Sequence, residues 1–217
     1  FYASQFAVGD RTVVCHDAAV IPNGSSNGDL PWPSCRNTLQ IGYTGHLYPG
    51  KGVELIIQCA KRLPEYDFHV VGGTDKDIGF WKARATTNVS FHGFLEPARV
   101  PQALAKCDVL LMPAQRRVIV PHSKVDIAAH MSPLKLFEYM TARKAIIASD
   151  LPVLREVLHE EMAVLAPPDD LDEWVKAIRR CKEPQYRETL ANNAYRAFLE
   201  HHTWEKRAEK AIGGIEL

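Results

Sequence analysis

Leu39-Gln40-Ile41-Gly42-Tyr43 runs straight into Thr44-Gly45, and beyond Pro49-Gly50-Lys51-Gly52 the apolar residues of Val53 to Leu63 recur at helical spacing. The stretch predicts a strand, a glycine-rich turn and a helix that Pro64 stops. The same order then repeats. Phe68-His69-Val70-Val71 reads as a strand closed by Gly72-Gly73, and the polar stretch to Arg84 as a helix. Val89 to Phe91 predicts a third strand, with His92-Gly93-Phe94 in the loop after it. Glu96 to Lys106 reads as a helix that Pro101 restarts from its first turn. Val109-Leu110-Leu111-Met112 is a strand, and Ala114 to Met131 a long mixed connection.

Further on, Pro133 to Ala142 predicts a helix, Ala145 to Ala148 a strand, Val153 to Leu158 a short helix and Met162 to Leu165 another strand. Asp170 to Cys181 is acidic at its start, as a helix N-terminus prefers, and the chain from Pro184 onward is helical and amphipathic. Upstream, Thr12 to Cys15 reads as a short strand, and Asn23 to Pro33 as loop. The apolar strands do not alternate with polar residues, so both of their faces are covered, as in a parallel sheet. The predicted fold class is therefore α/β, a doubly wound parallel sheet of Rossmann-like type with C-terminal helices. The expected divisions are 1–36 as an N-terminal segment with a first strand, 37–182 as the sheet domain and 183–217 as the C-terminal helices.

Lys plus Arg number 26 and Asp plus Glu 26, so bulk charge favours neither a nucleic-acid nor a membrane partner. With 46% hydrophobic residues the chain has ample material for a core. No apolar run reaches the roughly 20 residues that a membrane-spanning helix needs. The five cysteines are scattered without a C-x-x-C pair, which argues against a disulfide framework or a zinc knuckle and fits a reducing cytoplasm. Cys59 and Cys107 sit among apolar residues and are expected as buried thiols. The chain opens at Phe1-Tyr2-Ala3 without Met, and is expected to be a piece of a longer protein.

Ligands of open parallel sheets bind at the carboxyl ends of the strands, near the point where strand order reverses. That selects three loops. In Gly45-His46-Leu47-Tyr48-Pro49-Gly50-Lys51-Gly52, glycines let backbone approach a phosphate and Lys51 adds charge at a helix N-terminus, though the loop alone reads equally as a tight strand-to-helix turn with a solvated lysine. Gly52 stands where an NTPase phosphate loop needs Ser or Thr, so that motif is absent. The second loop, His130-Met131-Ser132-Pro133, leads into Leu134-Lys135-Leu136-Phe137-Glu138-Tyr139-Met140. Ser132 is a natural N-cap and Pro133 a natural first residue, which leaves the amides of Leu134 and Lys135 for an anion. Glu138, one turn on, suits the paired hydroxyls of a ribose. Taken alone it reads first as a surface carboxylate, the commoner state of a glutamate. The third loop, at Phe94, could hold a flat base or simply anchor the chain. The histidines His16, His69, His122, His159, His201 and His202 show no metal-ligand spacing.

Five landmarks occur in series. Ile21-Pro22-Asn23-Gly24 comes first, then Tyr43-Thr44-Gly45 through Lys51-Gly52, then Val70-Val71-Gly72-Gly73. Asn88 to Phe94 follows, and Ser132 to Met140 continuing to Ala148-Ser149-Asp150 completes the set. In this order the run from Leu39 to Ile178 resembles the C-terminal domain of GT-B fold retaining glycosyltransferases, the group 1 or family 4 type. The resemblance implies a nucleoside diphosphate sugar as donor, UDP- or GDP-linked, with no metal or other cofactor required. It implies that Lys51, Lys135 and His46 face the diphosphate with Gly45 and the Leu134 amide. Glu138 would hold the ribose, and the base would lie near Phe94. Two residues depart from the family pattern: His46 stands where it has Arg, and His130 where it has a first Glu near the donor sugar.

The implied protein is a hexosyltransferase of bacterial surface polysaccharide or glycoconjugate synthesis, with retention as the expected course. Its expected location is cytoplasmic, with the inner face of the membrane as the alternative. An N-terminal domain would supply the acceptor site and any peripheral membrane contact, and the isolated chain would bind nucleotide without turnover. The alternatives are a degenerate, non-catalytic sugar-nucleotide module and an epimerase of the same fold. An oxidoreductase is disfavoured because no G-x-G-x-x-G follows the first strand.

Overall fold

The computed structural model describes residues 15–21, 38–120, 125–128 and 131–213. The expected strand at Thr12 to Cys15 and the loop at Asn23 to Pro33 fall wholly or mostly outside them. Six parallel strands form one sheet: β1 (Gln40–Thr44), β2 (Asp67–Val71), β3 (Val89–Gly93), β4 (Val109–Met112), β5 (Ala145–Ser149) and β6 (Val164–Ala166). Their order is β3-β2-β1-β4-β5-β6, so the chain winds one way from β1, then returns past it. The reversal lies between β1 and β4, where Ile41 pairs with Val109 and Gly42 with Leu110. The fold is the doubly wound α/β class that the unalternating strands predict.

Helices cover both faces. Ile41, Tyr43, Phe68, Val70, Leu111 and Ile147 point to one side. There they pack against α1 (Val53–Arg62) and, after α2 (Asp75–Lys82), α3 (Val100–Ala105), α4 (Leu134–Thr141) and α5 (Pro152–Arg155), against α6 (Leu171–Arg180). Val71, Leu110, Met112, Ile146 and Ala148 point to the other side, onto α3, α4 and α7 (Pro184–His201). The last helix is α8 (Trp204–Ile212). A strand contributing to both cores from alternate positions must be apolar throughout. Gly42 lacks a side chain for a reason: a Cβ there would come within 2.4 Å of Cys107 Sγ.

Local sequence explains most boundaries. Thr74 caps α2 in a reciprocal box with Asp77, and Asp170 caps α6 by accepting from Glu173 N at 3.1 Å. Trp174, fully buried, keeps its indole satisfied by donating to Pro167 O at 2.9 Å. The amphipathic C-terminal run breaks at His202, where Thr203 restarts it by accepting from Lys206 N. Cys59 and Cys107 are buried thiols, as expected, and so is Cys181; burial pushes all three up to about 12. Among the described residues no helix is long and apolar enough to cross a membrane.

Two local expectations are corrected. Ser132 does not cap α4: Pro133 occupies the N-cap, and Ser132 Oγ instead accepts from Asp17 N at 2.9 Å. His92 and Gly93 belong to β3 rather than to the loop after it. Val70 pairs with Phe91 but Val71 with Gly93, so β3 carries one extra residue, a bulge that extends the strand.

Candidate functional site

The loops after β1 and β4 meet above the strand-order reversal, the place where such sheets bind ligands. Glycines let them meet. Gly50 has φ +92 and would set a Cβ 2.4 Å from Arg117 O; Gly52, the left-handed N-cap of α1, would set one 1.9 Å from Pro113 O. The contact is held by Gln115 N donating to Gly50 O at 2.9 Å. Gly45, at φ +136, donates to Val71 O, and Gly72 leaves room for the Gly45 carbonyl. The backbone after β1 is thus pinned on two sides.

Two tyrosines hold that loop, one from α4 and one from β1 itself. The buried Tyr139 hydroxyl accepts from Thr44 N at 2.8 Å, and Tyr43 donates to His46 O at 2.7 Å. Burial raises both phenols. Tyr139→Phe would leave a buried amide without its acceptor, at a cost of about 1–3 kcal/mol. For a chain of this size each kcal/mol lowers Tm by about 2–4 °C, so thermal unfolding should register a loss of several degrees. An unchanged Tm would mean that the hydroxyl is not what joins α4 to β1.

Lys135 projects from the first turn of α4 into this corner. Its Nζ lies 4.2 Å from the Tyr43 ring centroid and donates to Thr44 O at 3.4 Å. Burial pulls its pKa down to about 7; the nearby Lys51 ammonium adds to this and the Glu138 carboxylate opposes it. Lys51 from the loop after β1 and Lys135 from the first turn of α4 therefore converge on one corner. Lys51 also stands 5.2 Å over the Tyr48 ring, against which the exposed His46 tilts at 5.4 Å. The first N–H groups of a helix have no intrahelical partner, so the amides at the start of α4 add donors to the same corner.

Glu138 is half-buried one turn along α4 and lines a groove of about 850 Å³, with Leu134 beside it. Burial raises its carboxyl, against the pull of Lys135. Ala18 to Ile21 form part of its wall, and Val100 and Trp204 also line it. Phe94, 71% exposed, follows β3 and is not part of the groove lining. Of the residues singled out in sequence, Gly45, Lys51 and Lys135 gather at one corner. Glu138 and Leu134 face the adjoining groove, His46 stands on the rim, and His130 lies outside the described residues.

Two features had no local signal. The wall at Ala18 to Ile21 comes from more than a hundred residues earlier in the chain. A buried polar chain also crosses three strands: His92 Nε2 lies 3.0 Å from His69 Nδ1, and His69 Nε2 lies 2.8 Å from Gln40 Oε1. Gln40 Nε2 donates to Thr38 and Asp67, which makes its Oε1 the acceptor and fixes the proton of His69 on Nε2. Burial holds His69 down to about 4, so the chain is neutral. Among the described residues, no group of three or more His, Cys, Asp or Glu side chains is arranged to hold a metal ion.

Comparisons with known proteins bear on the family and the fold. The glycosyl transferase-like family matches residues 50–213, well over half of the chain. A putative teichuronic acid biosynthesis glycosyltransferase of Bacillus subtilis, TuaH, is 25% identical over 165 residues, which are 73% of this chain and 40% of that protein. Among solved structures, a sucrose-phosphate synthase from Thermosynechococcus elongatus superposes with a TM-score of 0.66 at 22% identity, covering 79% of this chain and 43% of that one. Anabaena HepE in complex with UDP-glucose gives 0.65 at 19%, covering 82% and 48%. A point mutant of S. aureus TarM in complex with fondaparinux, alpha-GlcNAc-glycerol and UDP gives 0.69 at 15%, covering 97% and 40%. At these identities the structures share the fold, and the chain spans less than half the length of each.

Proposed function

This chain belongs to the glycosyl transferase-like family, and from that premise we propose that it is the donor-binding half of a two-domain enzyme that uses a nucleoside diphosphate sugar. The observation that carries the reading is the corner where Lys51 and Lys135 converge beside the start of α4, one helical turn from Glu138. A diphosphate leaving group develops negative charge as the glycosidic bond breaks. Preorganised cations and helix-terminal amides stabilise that charge in a water-poor site. Lys135, held against Tyr43 and Thr44, needs no reorganisation to do so. His46 on the rim adds a hydrogen-bond donor to the same diphosphate. Glu138 accepts the ribose hydroxyls, with the nucleoside along the groove and the base toward Phe94.

UDP or GDP carries the sugar in this reading, and transfer proceeds with retention. The acceptor belongs to bacterial surface polysaccharide or glycoconjugate synthesis, which accords with the teichuronic acid role in the name of the B. subtilis relative. A second domain contributes the acceptor site, so these 217 residues bind donor without turning it over. The complexes of HepE with UDP-glucose and of TarM with UDP support the nucleotide, as proteins of the same fold.

Calorimetric titration with UDP, GDP and ADP tests the reading. One diphosphate should bind, and Glu138→Ala should weaken it by roughly 1.5–3 kcal/mol for each charge-assisted hydrogen bond lost. Equal affinity in the variant would remove Glu138 from the site, and no heat with any of the three would remove the reading itself.

A further inference from the structure

Residues 15–21 form neither helix nor sheet strand; they are a strap tied down by side chains. Arg207 on α8 makes two of the ties: its Nε donates to His16 O at 3.0 Å, and its guanidinium lies 3.9 Å from the Asp17 carboxylate. Ala19 bridges to Thr203, the residue that caps α8. His16 Nε2 stands 3.5 Å from Glu156. At the other end of its influence, Asp17 N donates to Ser132 Oγ, two residues ahead of α4. The strap also supplies Ala18 to Ile21 to the wall of the groove that Glu138 lines.

These contacts have a joint consequence. A segment with no ladder of its own keeps its place only while its ties outweigh the entropy of release. If it moves, the groove loses a wall and Ser132 loses the bond that props the entry to α4. Anchoring and groove occupancy then stabilise one another, and such coupling is reciprocal. We infer that Arg207 is a positioning residue for nucleotide binding, holding the strap that walls the groove and braces the start of the ligand-binding helix. The inference rests on the donor-binding reading and adds a residue from the last helix, remote from it in sequence.

The test uses UDP titration and amide hydrogen exchange on the whole chain. Arg207→Met and Ser132→Ala should each weaken UDP by roughly fivefold, about the net worth of one hydrogen bond. Because both act through one strap, the double variant should lose much less than the product of the two. Arg207→Lys, which restores the charge opposite Asp17, should recover part of the loss. In the wild type, UDP should slow exchange at the Asp17 amide. A merely structural Arg207 would lower Tm and leave UDP affinity alone. UDP bound by the wild type without slower exchange at Asp17, or losses that multiply in the double variant, overturns the strap and leaves the donor site standing. Absence of UDP binding by the wild type overturns both. Should Arg207→Met fail to fold, the wild-type exchange measurement and Ser132→Ala decide alone.

Discussion

Gly52→Ala is expected to unfold this chain at a temperature lower by roughly ten degrees. Gly52 sits at φ +81, and a Cβ there would lie 1.9 Å from the Pro113 carbonyl oxygen, a backbone atom that cannot swing aside. Left-handed backbone costs a residue with a Cβ about 1–2 kcal/mol, and overpacking typically a further 1–3 kcal/mol. At about 2–4 °C per kcal/mol the sum is a large shift in Tm. The loop after β4 would be pushed from the loop after β1, so UDP affinity should fall with it. Gly79→Ala is the matched control. Gly79 lies inside α2 with nothing within 4 Å of its would-be Cβ. That substitution should stabilise by about 0.5–1 kcal/mol. Scanning calorimetry of the two variants should therefore give shifts of opposite sign. A Gly52→Ala protein as stable as the wild type would show that the two loops are not in contact.

Lys135→Met should weaken UDP by tenfold or more, since charge-assisted hydrogen bonds are worth about 1.5–3 kcal/mol each. The same change should raise Tm. The ammonium of Lys135 is held down to about 7 from its ordinary 10.5, mainly by burial. Between those values the unfolded chain keeps a proton that the folded chain has lost, so the contribution of Lys135 to stability rises with pH across that window. Below about 7 the buried charge is present in full, together with its cost. The advantage of methionine should thus be greatest at and below neutrality and shrink as pH climbs toward 10.5. Binding has the opposite preference. A diphosphate favours the ammonium, so UDP binding just above neutrality should take up a proton, visible as heats that depend on buffer ionisation. Binding heats independent of buffer, with Tm unchanged in the variant, would place Lys135 in water rather than in the corner.

What the sequence disclosed, and what it hid, follows the range of the forces involved. Val53 to Leu63 announces its helix by local periodicity, and Ala145 to Ala148 its strand by an unbroken apolar run. The glycines at 45, 50 and 52 mark the loop because left-handed backbone is written into one residue at a time. Ser132 has every local mark of a cap, yet its oxygen serves Asp17, 115 residues away. His92 reads as loop because a bulge is a property of two strands together, not of one. Lys135 reads as one more cation; the Tyr43 ring and Thr44 carbonyl that enclose it come from β1, and nothing near Lys135 in sequence foretells them. Glu138 was legible as a candidate because it follows Ser132-Pro133 by one turn within the series of landmarks, but the Ala18 to Ile21 wall of its groove was not.

The placement of the buried cysteines has a practical consequence. Cys59 belongs to the core on the α1 face of the sheet, Cys107 to the core on the opposite face, and Cys181 closes α6. With their thiols pushed up to about 12 and shut away from solvent, all three are inert to alkylating reagents while the fold is closed. Each becomes reactive only when its own layer opens. The native chain thus carries chemical clocks on both sides of its sheet, and the order in which they are modified would reveal which helical layer lifts away first.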